Sequence, residues 1–344
     1  MDDKIKPINS ERVTLGKVLP LETPFTLNVC PTLYCNFKCG YCIHSLDDET
    51  KKQSIIGTKM HMTFATFKKA IDGCNNFEKK LKCILFCSYG EPLLNPDIVK
   101  MVKYASDSGI SERIEIVTNG YMLTNKISDE LIDAGLTALR ISLQGLDADS
   151  YKKMSQINID YEKFINQIKY FYNKKQGKNC TLFVKIVDAA LNQYTAENFY
   201  NTFQDFTDLM YVEHIFKQHE DVDYSKITDK ISDTKNDFKD LNVAICPYPF
   251  YSINIYADGT LHNCHERKYS TIGNITDISV YEAWNSKITK QFLINLLEEN
   301  TSFCKNCNLA KGLIKKQDII DDYKDEILFR IKKGDKNVKI RKGS

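Results

Sequence analysis

The sequence lacks the features that would place it in a membrane, in a secretory pathway or on a nucleic acid. No apolar run approaches the ~18 residues needed to cross a bilayer, and the N-terminus has no apolar signal segment. The 47 Lys and Arg residues nearly balance the 45 Asp and Glu residues, giving a net charge of +2. This charge is too small for the broad basic surface that a phosphate backbone attracts. We therefore expect a cytoplasmic protein with no membrane and no nucleic-acid partner.

Cysteine, by contrast, is abundant, with 12 residues in the chain. Without a secretion signal a disulfide framework is disfavoured, because the cytosol keeps thiols reduced. Seven cysteines fall into three tight or patterned groups: Cys35, Cys39 and Cys42; Cys246 and Cys264; Cys304 and Cys307. The other five lie scattered in apolar runs, where we expect small buried hydrophobes: Cys30, Cys74, Cys83, Cys87 and Cys180. Metal or cluster ligation is the leading explanation for the grouped cysteines.

Short apolar runs alternate with helix-period segments from about residue 24 to residue 218, a pattern typical of repeated βα units and a parallel sheet. Six strands are predicted, at residues 25–30, 81–87, 113–118, 137–143, 181–188 and 210–216. An array of ~200 residues is too small for an eight-stranded barrel, so the pattern predicts an α/β fold, a partial (βα)6 barrel. Its active site should lie at the C-terminal ends of the strands.

The sequence divides into five predicted parts. An N-terminal extension, 1–23, precedes the partial barrel, 24–220, and a polar linker, 221–240, follows it. The second domain, 241–313, is predicted to contain a β-hairpin around Asp258-Gly259 followed by helical turns. The Lys-rich C-terminal part, 314–344, is predicted to carry one amphipathic helix and then a disordered end.

The first cysteine group, Cys35-Asn-Phe-Lys-Cys39-Gly-Tyr-Cys42, places three thiols in one loop after the first predicted strand. Three thiolates leave one iron of a 4Fe-4S cluster without a protein ligand, and a substrate amine and carboxylate can chelate that iron. The alternative is a structural zinc site, for which His44 could supply the fourth ligand.

This CxxxCxxC spacing, with Tyr41 before the last cysteine, resembles the signature of the radical S-adenosylmethionine (SAM) superfamily. After the second strand, Ser88-Tyr89-Gly90-Glu91-Pro92 is similar to the GGEP motif of that family, with Tyr89-Gly90 in place of the Gly-Gly pair. The resemblance implies that this segment binds the SAM amino group through backbone and carboxylate acceptors.

Two further segments carry the resemblance. Thr118-Asn119-Gly120 is similar to a turn common in the superfamily, although alone it is also an ordinary turn with glycine at positive φ. Residues 140–145 are similar to the segment whose serine, here Ser142, contacts the SAM ribose or carboxylate. The resemblance thus implies cofactor contacts by Tyr41, Gly90, Glu91, Pro92, Asn119, Ser142 and Gln144.

Strand alternation places Arg140, Ser142 and Gln144 on one face. If that face lines a cavity, Arg140 needs a polar partner such as a carboxylate. A structural ion pair between Arg140 and Glu115 is the alternative. Lys185 interrupts an apolar run and is either a cavity residue or a lysine that reaches solvent at a strand edge. The candidate catalytic residues are Arg140, Lys185 and Cys87; Cys87 is a conceivable hydrogen donor, with an inert buried thiol as the alternative.

The second cysteine group has the arrangement Cys246-x12-Gly259-x4-Cys264, followed by Cys304-x2-Cys307. It resembles the SPASM and twitch auxiliary-cluster domains of radical SAM enzymes, together with a turn at residues 272–275 and a helix at residues 281–284. Because no cysteine follows Cys307, the resemblance implies one auxiliary 4Fe-4S cluster with four thiolate ligands. A four-cysteine zinc site is the alternative.

The resemblance implies an enzyme that cleaves SAM to a 5'-deoxyadenosyl radical, with electrons from a flavodoxin- or ferredoxin-type donor. We expect oxidation or epimerisation of a small hydroxylated substrate, such as a sugar or aminocyclitol or a sugar nucleotide. Only ~24 residues precede the first strand, fewer than an N-terminal peptide-recognition domain needs. Oxidative modification of a ribosomally made peptide or protein is the alternative, and a non-catalytic iron-sulfur electron carrier or sensor is an alternative of another class.

Overall fold

A computed structural model describes residues 2–6, 12–235, 243–265, 270–301, 304, 307–308 and 315–341, with side chains described to residue 334. Its core is one curved sheet in which the six predicted strands run parallel. These strands are β1 (Thr26–Val29), β2 (Cys83–Phe86), β3 (Ile114–Thr118), β4 (Ala138–Leu143), β5 (Thr181–Val187) and β6 (Leu209–Glu213).

Three C-terminal strands extend the same sheet: β7 (Ser252–Ile255), β8 (Thr260–His262) and β9 (Thr271–Asn274). Among the described residues the strand order is β6-β5-β4-β3-β2-β1-β7-β8-β9. β7 pairs in parallel with β1, with Thr26 opposite Ser252, whereas β8 and β9 are antiparallel. The C-terminal unit is therefore hydrogen-bonded directly to the first strand of the barrel.

Helices follow the strands and cover the outer face of the sheet. In chain order they are α1 (Leu15–Val18), α2 (Glu49–Ile56), α3 (Phe64–Asp72), α4 (Ile98–Ser108), α5 (Asn125–Asp133), α6 (Ala148–Ser155), α7 (Tyr161–Lys174), α8 (Ala196–Phe203), α9 (Val280–Trp284), α10 (Lys287–Leu297) and α11 (Lys324–Arg341). No helix in the described ranges combines the length and apolar composition needed to span a bilayer.

α4 shows why these segments become helices on the sheet. Its buried residues, Ile98, Met101, Val102 and Ala105, recur at the three- and four-residue spacing that lines one helix face. Burying each large apolar side chain contributes about 1.5–3 kcal/mol, which is more than the residue's intrinsic helix propensity supplies. Gly109 ends the helix in the left-handed conformation, with φ +63°.

Strand alternation separates the two faces of the sheet. On β4, Leu139 and Ile141 are fully buried in the core beneath the helices, whereas Arg140 lines the cavity on the other face. Ser142 shares the inner face and pairs in register with Lys185 of β5. The polar inner residues of the strands therefore face a common interior.

The predicted partial (βα)6 barrel is confirmed, and each predicted strand is present with ends that differ by up to three residues. The largest difference is at β6, which ends at Glu213 rather than at residue 216. Gly259 has φ +82° and turns the predicted hairpin between β7 and β8. The turn predicted at residues 272–275 is wrong, because Thr271–Asn274 pairs with β8 as β9.

The predicted helix at residues 281–284 is confirmed within α9, which has a capping box between Ser279 and Glu282. The helix of the C-terminal part is α11, and the end predicted to be disordered includes residues 342–344, which lie outside the described residues. Part of the predicted linker, residues 236–240, also lies outside them. The domain boundaries remain predictions.

Candidate active site

The first cysteine group lies in a loop that two backbone hydrogen bonds hold against α6. The loop follows β1, and the amides of Lys38 and Gly40 donate to the carbonyls of Ser155 and Met154 at the end of α6, at 3.0 and 2.9 Å. The amide of Cys42 donates to the carbonyl of Cys39 at 2.8 Å. The three thiols therefore belong to one fixed loop at the C-terminal edge of the sheet, as predicted.

The three thiols also lie close enough to influence one another. Burial raises the pKa of Cys39 well above its usual range, and the neighbouring Cys42 and Cys35 thiols raise it further. Burial likewise raises the pKa of Cys35 to about 12, with a smaller contribution from Cys42. Soft thiolates in a buried group fit an iron-sulfur cluster, which removes their protons on binding.

The zinc alternative needs His44 as its fourth ligand, but the His44 ring is hydrogen-bonded to the backbone. His44 is buried, and its Nε2 contacts the backbone carbonyl of Tyr89. Burial lowers the His44 pKa, so the neutral ring donates this hydrogen bond. Within the described ranges, no three His, Cys, Asp or Glu side chains are arranged as ligands of a single ion. The arrangement at His44 therefore gives the zinc alternative no support.

The segment after β2 packs against the cysteine loop at Gly90. The amide of Glu91 donates to the carbonyl of Tyr34 at 2.8 Å, which brings two backbones together beside Cys35. A Cβ on Gly90 would lie 2.0 Å from the Thr32 carbonyl oxygen and 2.8 Å from the Tyr34 carbonyl oxygen. Only glycine permits this approach, because both nearby atoms belong to rigid backbone.

We expect Gly90→Ala to reduce 5'-deoxyadenosine formation from SAM by about 100-fold, because it moves the cysteine loop by the ~1 Å that such geometry does not tolerate. Deoxyadenosine is measured by chromatography after reduction with dithionite. The matched control is Gly334→Ala, where a Cβ has no atom within 4 Å. Equal deoxyadenosine rates in the two variants would show that the contact at Gly90 is unimportant.

Glu91 is almost completely buried and connects the ends of β2 and β3. Its Oε1 accepts hydrogen bonds from the Thr118 hydroxyl at 2.6 Å and the Leu93 amide at 2.9 Å, while its Oε2 accepts from the Asn119 amide at 2.7 Å. Burial raises the Glu91 pKa, and these three donors oppose that effect. The Glu91 carboxylate therefore holds together the segments that follow β2 and β3. Pro92 is the first residue of the short 3-10 helix that contains the Leu93 amide.

Asn119 joins the predicted turn after β3 to the cysteine loop. Its side-chain amide donates to Asn36 Oδ1 at 2.8 Å, and its Oδ1 accepts from the amide of Tyr121 at 2.9 Å. Gly120 has φ +76° and supplies the turn. The Asn36 side-chain amide is buried and has no hydrogen-bond partner among the described residues. A buried donor of this kind needs an acceptor, which the carboxylate or a hydroxyl of SAM can supply.

The hydroxyl of Tyr41 connects the cysteine loop to the end of β4. It donates to Gln144 Oε1 at 2.9 Å, and the Gln144 amide donates to the Ser142 carbonyl at 3.2 Å. The structure therefore brings Tyr41, Gln144 and Ser142 to the same edge as Gly90, Glu91 and Asn119. Their assignment as SAM contacts remains a prediction.

The four cysteines of the second group lie close together beside the inner face of the sheet. Burial raises the pKa of Cys246 well above its usual range, and Cys264, Cys307 and Cys304 raise it further, so that the four thiols are neighbours. All four line a cavity of about 540 Å³. Four thiolates around one buried space are the ligands expected of an iron-sulfur cluster with no open iron.

The three candidate catalytic residues, Arg140, Lys185 and Cys87, line this same cavity. Arg140 forms an ion pair with Glu115, which is fully buried and also lies 3.0 Å from the Arg113 guanidinium. The ion-pair alternative for Arg140 is therefore what the structure shows. Lys185 Nζ lies 2.6 Å from Glu213 Oε2, so Lys185 is a cavity residue rather than one that reaches solvent at an edge.

Sequence reasoning missed two residues of this region. Glu213, at the end of β6, could have been found by strand alternation, whereas Lys235 gave no signal in the sequence.

His265, which the sequence places directly after Cys264, is partly buried, with its ring 5.2 Å from that of Tyr89. Burial lowers the pKa of His265 to about 4, so the ring is neutral. The tyrosine in place of the first motif glycine thus contacts the C-terminal cysteine segment.

Two protein families match the chain. The radical SAM superfamily matches residues 29–205, about half of the chain, and an iron-sulfur cluster-binding domain of the SPASM type matches residues 246–308. A radical SAM domain uses a 4Fe-4S cluster and SAM, and a SPASM domain adds auxiliary iron-sulfur binding. The cofactors expected from the sequence are therefore confirmed.

Curated relatives match over a limited region. A probable GTP 3',8-cyclase of Methanocaldococcus jannaschii is 31% identical over 144 residues, which are 42% of this chain and 44% of that protein. A GTP 3',8-cyclase of Microcystis aeruginosa is 30% identical over 123 residues, 35% of this chain and 34% of that protein. The chain thus spans less than half the length of these relatives.

Solved structures show the same fold over most of the chain. BtrN in complex with AdoMet and 2-DOIA has a TM-score of 0.53 and 18% identity, covering 85% of this chain and 96% of BtrN. SuiB of Streptococcus suis bound to S-adenosylmethionine has a TM-score of 0.59 and 17% identity, covering 86% of this chain and 73% of SuiB. The chain therefore belongs to the radical SAM superfamily and carries a C-terminal SPASM-type iron-sulfur cluster-binding domain.

Proposed function

We propose that this enzyme dehydrogenates a small hydroxylated substrate that binds in the cavity of about 540 Å³. One observation carries the proposal: inner-face residues of the barrel strands and all four C-terminal cysteines line the same space. A substrate in that space can lose a hydrogen atom on one side and an electron on the other.

The chain's part in this reaction is to hold two cofactors and one substrate. We assign Cys35, Cys39 and Cys42 to the SAM-binding cluster and Cys246, Cys264, Cys304 and Cys307 to the auxiliary cluster. When bound, these groups supply a 5'-deoxyadenosyl radical and an electron acceptor, respectively. Gly90, Glu91, Pro92, Asn119, Tyr41, Ser142 and Gln144 would hold SAM at the C-terminal edge of the sheet, and Arg140 and Lys185 line the cavity from the inner face of the same strands.

Dehydrogenation of an alcohol removes one hydrogen atom from carbon, one proton from the hydroxyl and one electron. With both cofactors bound, they would supply the acceptors of the hydrogen atom and the electron, and the hydroxyl proton would pass to a neutral group or to water in the cavity. Arg140 cannot accept it, because a guanidinium stays charged and this one is paired with Glu115. Cys87 already holds a proton, since burial raises its pKa.

Cys87 supports a second outcome at the same site. Its partly buried thiol lines the cavity in the protonated form, and an S–H group can return a hydrogen atom to a substrate radical. The product would then be an epimer with no net oxidation. Because the two outcomes leave different products, the experiment below separates them.

The peptide alternative has weaker support from the geometry. SuiB has also been solved bound to its precursor peptide SuiA, but its 16% identity to this chain shows the fold alone. The names of the curated relatives likewise concern proteins of which this chain covers less than half. The charged side chains Arg140, Lys185 and Lys235 in the cavity lining favour a small polar substrate over a peptide segment.

The test is anaerobic incubation of the reconstituted protein with SAM, dithionite and pools of hydroxylated metabolites. We expect the correct substrate to raise deoxyadenosine formation at least ~10-fold over the rate without substrate and to yield a product lighter by two hydrogen atoms. The product is identified by mass spectrometry, with a parallel reaction in deuterium oxide. Epimerisation would give a product with the mass of the substrate in water and one carbon-bound deuterium in deuterium oxide. That result would contradict dehydrogenation.

A further inference from the structure

One wall of the cavity gathers basic side chains around a single carboxylate. Lys185 Nζ lies 2.6 Å and Lys235 Nζ 3.1 Å from the same oxygen, Oε2 of Glu213. The Lys185 and Glu213 side chains are each 10% exposed, and that of Lys235 is 24% exposed. Among the described residues, two ammonium groups therefore share one carboxylate oxygen.

The rest of the cavity lining does not balance this charge. Arg140 also lines the cavity; its ion-pair partner Glu115 is shared with Arg113, and the Arg140 Nε is buried without a described partner. The described lining residues include one carboxylate, Glu299, which lies 2.7 Å from Lys324 Nζ. Counting Glu213, the described wall has three basic side chains, Lys185, Lys235 and Arg140, against two carboxylates, and Glu299 is already paired with Lys324.

The basic wall stands apart from the cysteines of the auxiliary site. Lys185 lies on β5 and Glu213 on β6, whereas Cys246 precedes β7 and Cys264 follows β8. Four strands, β4 to β1, separate β5 from β7 in the sheet. Because the cavity reaches both sides, a ligand can lie between the basic wall and the auxiliary site.

We propose that this wall is an anion-binding site and that the substrate carries a phosphate or carboxylate group that contacts Lys185 and Lys235. The inference rests on the proposed function and narrows its substrate class. A buried positive wall stabilises an anion and repels a cation, because the low dielectric strengthens both effects. A phosphorylated or acidic sugar therefore suits this cavity, and a cationic aminocyclitol does not.

The protonation of Lys185 supports this assignment. Burial lowers its pKa to about 7, the neighbouring Lys235 and Arg140 lower it as well, and Glu213 opposes them. An anion beside Lys185 favours the charged form and raises this pKa. Binding should therefore take up a proton, and affinity should be greatest below pH 7 and fall as the pH rises through 7.

The test is calorimetric titration of the anaerobic, reconstituted full-length protein with sulfate, a dianion whose charge does not change in this pH range. We expect Lys235→Gln to weaken sulfate binding by roughly 10–100-fold, the loss of one charge-assisted contact. Acetate in place of sulfate shows whether the site prefers a carboxylate, and glucosamine serves as the cationic probe. Lys174→Gln, a partly exposed lysine 3.4 Å from Asp129, is the matched control and should bind sulfate normally.

Proton uptake gives a second measurement on Lys185. At pH 8 the binding enthalpy of sulfate should vary with the ionisation enthalpy of the buffer, and Lys185→Met should remove this variation. The proposal is overturned if sulfate does not bind the wild-type protein, if Lys235→Gln leaves sulfate affinity unchanged, if glucosamine binds in place of sulfate, or if sulfate competes with SAM. The sulfate titrations involve no turnover, so they test the anion site independently of the reaction. An epimerised product would contradict dehydrogenation but not the anion site.

Discussion

Cys39→Ala is expected to abolish 5'-deoxyadenosine formation and to lower the iron content from about eight to about four atoms per chain. Cys39 belongs to a fixed loop in which three partly buried thiols influence one another, and two remaining thiolates do not hold the SAM cluster. The four cysteines that line the interior cavity are untouched, so their cluster should remain. Iron and sulfide analysis after anaerobic reconstitution, with the dithionite assay for deoxyadenosine, measures both effects.

The matched control for this experiment is Cys74→Ala. Cys74 is also buried, lies outside both cysteine groups and donates to the Ala70 carbonyl at 3.3 Å. It should keep about eight irons and the wild-type rate of deoxyadenosine formation, with at most a modest loss of stability. Cleavage of SAM at the normal rate by Cys39→Ala would contradict the assignment of the first cysteine group.

The fold and the cysteine sites could be predicted because their signals are local in the sequence. Each βα unit is a short apolar run followed by helix-period residues, and packing on one sheet satisfies both patterns. The CxxxCxxC loop, Gly90 and Asn119 each follow a strand, and parallel strands bring their C-terminal ends to one edge. Position along the chain was therefore enough to place these residues together.

Contacts between segments far apart in the sequence could not be predicted from local patterns. The parallel pairing of β7 with β1 joins residues more than 200 positions apart, and no local pattern specifies it. The same holds for Lys235, whose partner Glu213 lies on another segment. Residues 272–275 show a related error, since turn-forming Gly273 and Asn274 are held in β9 by hydrogen bonds to β8.

Motifs predicted where residues lie better than what they contact. The motif resemblance assigned the Glu91 carboxylate to SAM, which stays a prediction, but gave no sign that both of its oxygens also accept hydrogen bonds from the chain itself. Tyr89 replaces a motif glycine, and its ring stacks on Tyr256 at 5.9 Å and lies 5.2 Å from His265. Such contacts depend on the C-terminal unit packing over the barrel, which a motif within the barrel does not encode.

Cys304→Ala is expected to separate the two half-reactions of the proposed enzyme. The loop of Cys35, Cys39 and Cys42, after β1, does not contain the altered residue, so deoxyadenosine should still form at a rate within about threefold of wild type. The oxidised product should fall at least ~100-fold, because three thiolates no longer saturate the auxiliary cluster and the electron has no acceptor. Deoxyadenosine and product are quantified in the same anaerobic reaction.

Cys180→Ala is the control for loss of a thiol without loss of a ligand, since Cys180 is buried just before β5 and does not line the cavity of about 540 Å³. Thermal unfolding of both variants separates a missing electron acceptor from a collapsed fold. Normal product yield from a folded Cys304→Ala protein would make the auxiliary site a structural brace, and the electron would then have to leave the substrate by another route. Loss of deoxyadenosine together with product, in a folded protein, would show instead that the C-terminal site supports the first step through the Tyr89 contact with His265.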